Sequence, residues 1–394
     1  MTSKELKPII HIATDEKFID AALNIYTKAF PGMNLFLILQ RESDENILYL
    51  NQKDKYVFVK TNNDFVDIVE DYCKEAKIIV FHGMNHSQAI LANKLSKYSK
   101  KYVWSVFGAE VYNNNLIFKN EAVGSKTYNT FIYSFKKLFK DIFRSVYYKL
   151  VKGKENPNKT VKKSFMKMDY VSILYEEELK NYFKLGIVNS NIEHIKFTYY
   201  PLDLVINKNI GFVDGTNILL GNSASYTNNH LEAFDFIQKC NLRKFNILSP
   251  LSYGNKKYAD EIIELGKRKF GDRFYPLTEY MPLIEYQNIL KSCGIVIMNH
   301  YRQQAVGNVM NAVFFGAKVF LSERNTLFHY LKRIGCYVYS IENDFATDNN
   351  EIFSLLTSEQ MIHNRDVVTI ELALDSLIRE LQAKLKPSLI EKTI

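Results

Sequence analysis

Cysteine is scarce and scattered: Cys73, Cys240, Cys293 and Cys336 are the only four in 394 residues, and no two form a CxxC pair. That spacing gives neither a zinc knuckle nor a disulfide framework, so each reads as a small apolar core residue in a reducing compartment. No apolar run approaches the ~20 residues that span a bilayer. The opening MTSKELKP runs into Ile9 without the apolar region of a signal peptide. These absences lead us to expect a protein made in the cytoplasm, either soluble or peripheral to a membrane. P-loop, HExxH, GxSxG and EF-hand patterns are also missing, as is a DxD pair of the kind that holds a divalent ion in metal-dependent sugar transferases. No metal and no cofactor are therefore expected, and the lone Trp104 reads as core.

What is present is a chain with enough apolar residues, 47%, to build ordinary cores, and a formal charge of +8. The length favours two domains. The charge favours anionic partners such as phosphates or an acidic membrane surface. A nucleic-acid groove is disfavoured, because no binding motif accompanies the charge.

Short β-rich runs alternate with helix-length segments, which implies parallel sheets covered on both faces. Strands are expected at Pro8–Thr14, Asn34–Gln40, Tyr56–Lys60, Ile78–His82 and Tyr102–Phe107. After a polar joint at Asn207–Gly215 the rhythm restarts, with strands at Asn217–Gly221, Phe245–Pro250, Gly294–Asn299, Lys318–Ser322 and Tyr337–Ile341. The expectation is an α/β protein of two Rossmann-like domains facing across a cleft, residues 1–206 and 207–370, then a C-terminal helix and tail over 371–394. Ligands of such sheets bind at the carboxyl ends of the strands.

One stretch, Lys126–Lys163, breaks the rhythm. Phe131, Phe135, Phe139 and Phe143 recur at helical spacing, with Lys136, Lys137, Lys140 and Arg144 between them. This is the pattern of a basic amphipathic helix in an anionic membrane interface; its bland counterpart is a surface helix with lysines in water.

Three places carry polar groups suited to chemistry. In the second half, Ile218-Leu-Leu-Gly-Asn-Ser-Ala-Ser225 delivers a small-residue loop, with Gly221, Asn222 and Ser223, to a helix beginning near Asn228 and His230. Small residues admit close approach, and a helix N-terminus offers N–H groups to an anion. His300-Tyr-Arg-Gln-Gln-Ala-Val-Gly307 follows another apolar strand; Arg302 brings a planar fork of donors, Gln303 and Gln304 neutral ones, and Gly307 a close approach. Tyr253 completes the donor-side set. In the first half, His11 and Asp15, then His82-Gly-Met-Asn-His86, then Phe107-Gly-Ala-Glu-Val-Tyr112 follow three strands. Glu110, His82 and Asp15 are the candidates for taking a proton from an acceptor hydroxyl. Each of these residues could equally be a cap or a structural group.

Taken together, Phe81-His-Gly83, Trp104 with Gly108-Ala-Glu-Val-Tyr112, Leu220-Gly-Asn-Ser223, Asn228-Asn-His230, Tyr286 with Leu290-Lys-Ser-Cys-Gly-Ile295, and Arg302-Gln-Gln304 resemble the Fuc4NAc (4-acetamido-4,6-dideoxy-galactose) transferases, the 4-alpha-L-fucosyltransferase-like family. The resemblance covers roughly residues 80–340 and departs at Glu110, Ala224-Ser225 and Ala305-Val-Gly-Asn308. It implies a GT-B fold, a dTDP-sugar donor, an undecaprenyl-diphosphate-linked acceptor, no metal, and a peripheral place on the cytoplasmic face of the bacterial inner membrane. Other readings remain open: a UDP- or GDP-sugar donor, another enzyme on two Rossmann-like domains such as a nucleotide-sugar epimerase, or a non-catalytic member of a polysaccharide assembly complex.

Overall fold

The unalternated run Ile78-Ile-Val-Phe-His82 is buried along its whole length, as a strand covered on both faces must be. Its neighbours obey the same rule. In the computed structural model, which describes residues 7–44, 46–118, 121–133, 147–151, 155–205, 211–240, 245–344 and 353–390, these runs build two all-parallel sheets.

The first sheet takes β1 (Ile9–Thr14), β2 (Asn34–Gln40), β3 (Tyr56–Lys60), β4 (Ile78–His82), β5 (Lys101–Ser105), β6 (Tyr170–Ile173) and β7 (Glu193–Lys196), in the order β3-β2-β1-β4-β5-β6-β7. Its helices are α1 (Ile19–Ala29), α2 (Phe65–Cys73), α3 (His86–Leu95), α4 (Ala109–Tyr112), α5 (Pro157–Phe165) and α6 (Glu176–Lys184). The second sheet takes β8 (Ile218–Leu220), β9 (Ile247–Pro250), β10 (Phe274–Leu277), β11 (Ile295–Met298), β12 (Lys318–Leu321) and β13 (Val338–Ser340), in the order β10-β9-β8-β11-β12-β13. Its helices are α7 (His230–Lys239), α8 (Lys256–Phe270), α9 (Leu283–Lys291), α10 (Val306–Phe314), α11 (Thr326–Arg333) and α12 (Ser358–Glu371); a last helix, α13, spans Leu374–Ile390. Each sheet has one point where the chain order reverses, between β1 and β4 and between β8 and β11.

Strand alternation sorts the side chains of the first sheet onto two cores. Ile10, Ile12, Ile79 and Phe81 join Leu91 and Leu95 of α3 on one face. Ile9, Ala13, Ile78 and Val80 join Ile19 and Tyr26 of α1 with Leu381 and Leu385 of α13 on the other. Each of those two leucines contributes about 1.5–3 kcal/mol by burial. Gln382 Nε2 adds a hydrogen bond to the carbonyl of Ala29 at 2.9 Å, and Lys384 pairs with Glu193 at 2.9 Å. The C-terminal helix thus belongs to the first unit.

By internal contact the first unit comprises residues 1–118, 141–204 and 372–394, and the second 119–140 and 205–371. This departs from the expected split at 206/207 in one respect: 121–133, expected in the first domain and from Lys126 onward in its basic amphipathic stretch, is part of the second unit. Asn229 clamps it, accepting the N–H of Gly124 at 2.8 Å and donating to the carbonyl of Ala122 at 3.3 Å. Glu232 accepts from the Thr127 N–H at 3.0 Å and hydroxyl at 2.5 Å.

Phe131, expected at a lipid surface, is half-buried: its ring lies edge-on to Tyr258 at 4.8 Å and packs on the second unit's core. Phe135, Lys136, Lys137, Phe139, Lys140, Phe143 and Arg144 lie outside the described residues.

Three strands escaped the sequence reading: β6, β7 and β10. The C-terminal helix expected within 371–394 follows a separate helix, α12, with a break at Leu372, whose carbonyl accepts the N–H of Leu202 at 2.9 Å.

Candidate functional site

In the first unit the reversal between β1 and β4 opens a crevice at the carboxyl ends of the strands, where such sheets bind ligands. Two adjoining cavities occupy it, about 730 Å³ and about 350 Å³, and share Thr14, Glu16, Asn85 and His86. The sequence builds the floor locally. Asn85 caps α3 by accepting from Gln88 N at 3.0 Å, and Gln88 Oε1 returns to Asn85 N at 2.9 Å. Gln88 Nε2 then donates to the carbonyls of Ile12 (3.0 Å) and His82 (2.7 Å), stitching β1 to β4 at the point of reversal. Asn85, Gln88 and Glu16 were not singled out in sequence, although the Asn-x-x-Gln cap was visible there.

Glu110 lines the smaller cavity from the first turn of α4. Its Oε1 accepts the Trp104 indole N–H and the Phe107 backbone N–H, each at 3.0 Å. Burial pushes its carboxyl up, and those donors, with its own turn's N–H groups, pull it partly back. The carboxylate therefore organises the β5–α4 turn, and it also faces the cavity.

Asp15 lines the larger cavity. Both of its oxygens are engaged with the loop over it, Oδ2 with Leu48 N at 2.6 Å and Oδ1 with Tyr49 N at 3.0 Å. Beside it, burial first and the Asp15 charge second raise the Glu16 carboxyl.

His82 is a correction. It shares a strand face with Ile78 and Val80, is fully buried, and lines neither cavity. Its Nε2 meets His11 Nδ1 at 3.0 Å and its Nδ1 meets the Tyr199 hydroxyl at 2.8 Å. Burial holds its imidazole well below its ordinary range and neutral, so it has no route to an acceptor hydroxyl in this fold.

In the second unit, the loops after β8 and β11 meet at the other point of reversal. Gly221 has φ +70°, and a Cβ there would stand 2.7 Å from Asn228 Oδ1 and 2.9 Å from His230 Nε2. Glycine is required by both backbone and space. Asn228 Oδ1 accepts the Asn222 N–H at 2.8 Å and lies 2.9 Å from His300 Nε2; its Nδ2 donates to Ser223 Oγ at 3.2 Å and the Ser225 carbonyl at 3.3 Å.

Above that buried layer, Asn222 Nδ2 donates to the Tyr253 hydroxyl at 2.7 Å, and Asn222 Oδ1 accepts from Gln304 Nε2 at 3.2 Å. Gln304 Oε1 takes the Thr227 hydroxyl at 2.6 Å. Tyr253 remains 57% exposed, an aromatic face at the rim. Arg302 and Gln303 occupy the same half-buried turn, Arg302 Nη1 donating to the Gln303 carbonyl at 3.3 Å. Ala305 closes the turn with φ +55°, a left-handed backbone, and Gly307 follows in the first turn of α10. Of the ten donor-side residues expected from sequence, Asn222, Ser223, Asn228, Tyr253 and Gln304 share one hydrogen-bonded network at the strand ends, and Gly221 packs against its Asn228 and against His230. Asn228 and His230, both fully buried, form its floor rather than its surface. Thr227, and His300 at the head of the expected segment, join this network without having been assigned a donor-side role from sequence.

Residues 194–370 match the family described as 4-alpha-L-fucosyltransferase glycosyl transferase group 56. Solved structures share the whole fold at low identity. Sucrose-phosphate synthase from Thermosynechococcus elongatus is 10% identical with a TM-score of 0.62, over 97% of this chain and 99% of that one. Anabaena HepE, solved in complex with UDP and glucose, is 10% identical with a TM-score of 0.64, over 96% and 99%. A glycosyltransferase from Rickettsia africae is 11% identical with a TM-score of 0.59, over 98% and 100%. Two parallel-sheet units, whole-length likeness to solved GT-B structures, and a match of residues 194–370 to group 56 transferases identify a glycosyltransferase of the GT-B fold whose C-terminal part is similar to the 4-alpha-L-fucosyltransferases.

Proposed function

We propose that the protein moves a 4-acetamido-4,6-dideoxy-galactose or related deoxysugar from a dTDP-sugar to an undecaprenyl-diphosphate-linked saccharide, at the cytoplasmic face of a bacterial inner membrane. The observation that carries this reading is the strand-end site of the second unit. Asn222, Tyr253, Gln304 and Thr227 form one hydrogen-bonded rim there, beside the Arg302 turn. In this reading Arg302 meets the diphosphate, and the Tyr253 face stacks on the base.

The transfer breaks the bond from the sugar's anomeric carbon to the diphosphate oxygen, which leaves with the electron pair. The acceptor hydroxyl oxygen bonds that carbon and loses its proton. Glu110 is the group proposed to take it, because burial has already made its carboxylate a stronger base. The diphosphate charge is proposed to be met by protein donors, without a metal.

A second reading, a UDP-sugar donor, is favoured by the UDP held in the HepE structure of like fold. A thermal-shift series with dTDP, UDP and GDP separates the two. A ligand at 100 times its Kd adds about 2.7 kcal/mol. The dTDP reading expects the largest rise with dTDP, and Arg302→Ala is expected to weaken that binding by about 1.5–3 kcal/mol. A rise with UDP alone selects the second reading; no rise with any nucleotide sinks both.

A further inference from the structure

Two fully buried imidazole nitrogens at the strand-end site of the second unit, His230 Nε2 and His300 Nδ1, have no hydrogen-bond partner among the described residues. Buried polar atoms in folded proteins are almost always paired, so an orphan at a strand-end site calls for an explanation.

The chemical character of the His300 orphan can be worked out. The Asn228 amide has one allowed orientation: its oxygen must face the Asn222 N–H, and its nitrogen must face the Ser225 carbonyl. The oxygen is therefore what His300 Nε2 meets at 2.9 Å, so Nε2 carries the hydrogen. Burial, the Arg302 charge and His230 hold the imidazole neutral, with its pKa down to about 3. A neutral ring with its hydrogen on Nε2 presents a bare lone pair at Nδ1. That atom can accept an N–H or O–H hydrogen; it repels a phosphate oxygen.

Resting on the donor-site reading above, we infer that His300 Nδ1 is a specificity-determining acceptor that takes a hydrogen from the nucleoside or sugar of the bound nucleotide sugar, directly or through one water, and not from its diphosphate. The location suits this. His300 stands two residues beyond β11, and the half-buried turn Tyr301–Ala305 that follows it carries Arg302 and Gln304. The anion and the neutral hydrogen-bonding groups of one ligand would then be read by adjacent residues of the same turn.

The test compares wild type with His300→Gln, which keeps a donor toward Asn228 Oδ1 and removes the acceptor at the Nδ1 position. Titrations use the dTDP- or UDP-sugar that binds wild type, the matching nucleoside diphosphate, and inorganic pyrophosphate. We expect about tenfold weaker binding of the nucleotide sugar, the scale of one hydrogen bond, and unchanged pyrophosphate binding. Equal weakening of the nucleoside diphosphate assigns the hydrogen to the nucleoside; weakening confined to the nucleotide sugar assigns it to the sugar. Wild-type affinity in the variant, or a matching loss of pyrophosphate, overturns the inference. Should His300→Gln melt well below wild type, His300→Phe rescreened for pyrophosphate retention supplies the same comparison. A wild type that binds no nucleotide sugar refutes the donor-site reading instead.

Discussion

Asn34 Oδ1 faces His11 Nε2 at 3.0 Å, and this one contact sets the hydrogens of two buried imidazoles. The amide cannot turn round, because its Nδ2 donates to the carbonyls of Tyr26 (3.0 Å) and Phe30 (2.6 Å). His11 must therefore carry its hydrogen on Nε2 and accept on Nδ1. His82 Nε2–H supplies that hydrogen, and the Tyr199 hydroxyl donates to His82 Nδ1. Every hydrogen in the relay is accounted for, and neither ring can take a proton without breaking a bond.

Acid should therefore unfold the protein early. Burial lowers His11, His230 and His300 to about 3 and His82 well below its ordinary value. In the unfolded chain each titrates near pH 6.5. Between pH 6.5 and 3 the unfolded state binds more protons, so the stability these groups contribute is fully present above pH 6.5 and is lost as pH falls toward 3. Each histidine adds about 1.4 kcal/mol per pH unit to that slope. Calorimetry at pH 5.5 in buffers of differing ionisation enthalpy should find an uptake approaching about four protons on unfolding. An uptake near zero would show that these rings are not buried neutral.

Glu110 has two roles that substitution can separate. Glu110→Gln keeps an oxygen for the Trp104 and Phe107 N–H groups, and should melt close to wild type while losing about 10²-fold or more in turnover. Glu110→Ala should also destabilise, by about 1–3 kcal/mol, because two N–H groups lose their acceptor. A fully active Glu110→Gln would leave the carboxylate only its turn-holding role.

Gly221→Ala should damage the donor side specifically. The added methyl meets Asn228 and His230, and φ +70° strains any side chain. The cost should be about 1–3 kcal/mol, from strain and overpacking. Nucleotide binding should fall with it, since Asn222 takes its position from Asn228. An Ala variant that binds nucleotide like wild type would show that the loop does not shape the site.

The basic segment yields a membrane prediction independent of Phe131. Replacing Lys136, Lys137, Lys140 and Arg144 by Glu should release the protein from anionic vesicles at low salt and leave nucleotide binding intact, at about 1 kcal/mol per basic residue near such a surface. Salt should mimic the change, because the Debye length shrinks to about 3 Å at 1 M. Co-sedimentation of the charge-reversed variant at low salt would rule the segment out as the anchor.

The sequence made the centres of both sheets legible, because their strands are unbroken apolar runs. It hid their edges. The edge strand Glu193–Lys196 is mostly polar, and the edge strand Phe274–Leu277 is half-exposed and contains Pro276, so neither reads as a buried run. His82 was misplaced for a different reason. It was treated as a strand-end residue, whereas two-residue alternation already put it on the face of Ile78 and Val80. The donor-side loops were legible because glycine, asparagine and helix starts leave local marks. The clamp from Asn229 to Gly124 was not, since it joins positions 105 apart in the chain.

The order in which the chain visits its two units has a consequence for dissecting it. It passes from the first to the second near 118, returns near 140, leaves again near 204 and comes back near 371. Neither unit is one uninterrupted piece of gene. A fragment cut to the 194–370 family match would carry β7 away from its sheet and leave behind the 121–133 stretch that Asn229 and Glu232 hold. Swapping donor specificity between relatives by exchanging C-terminal halves should therefore fail unless that distant stretch travels too, as a second, separately spliced insert.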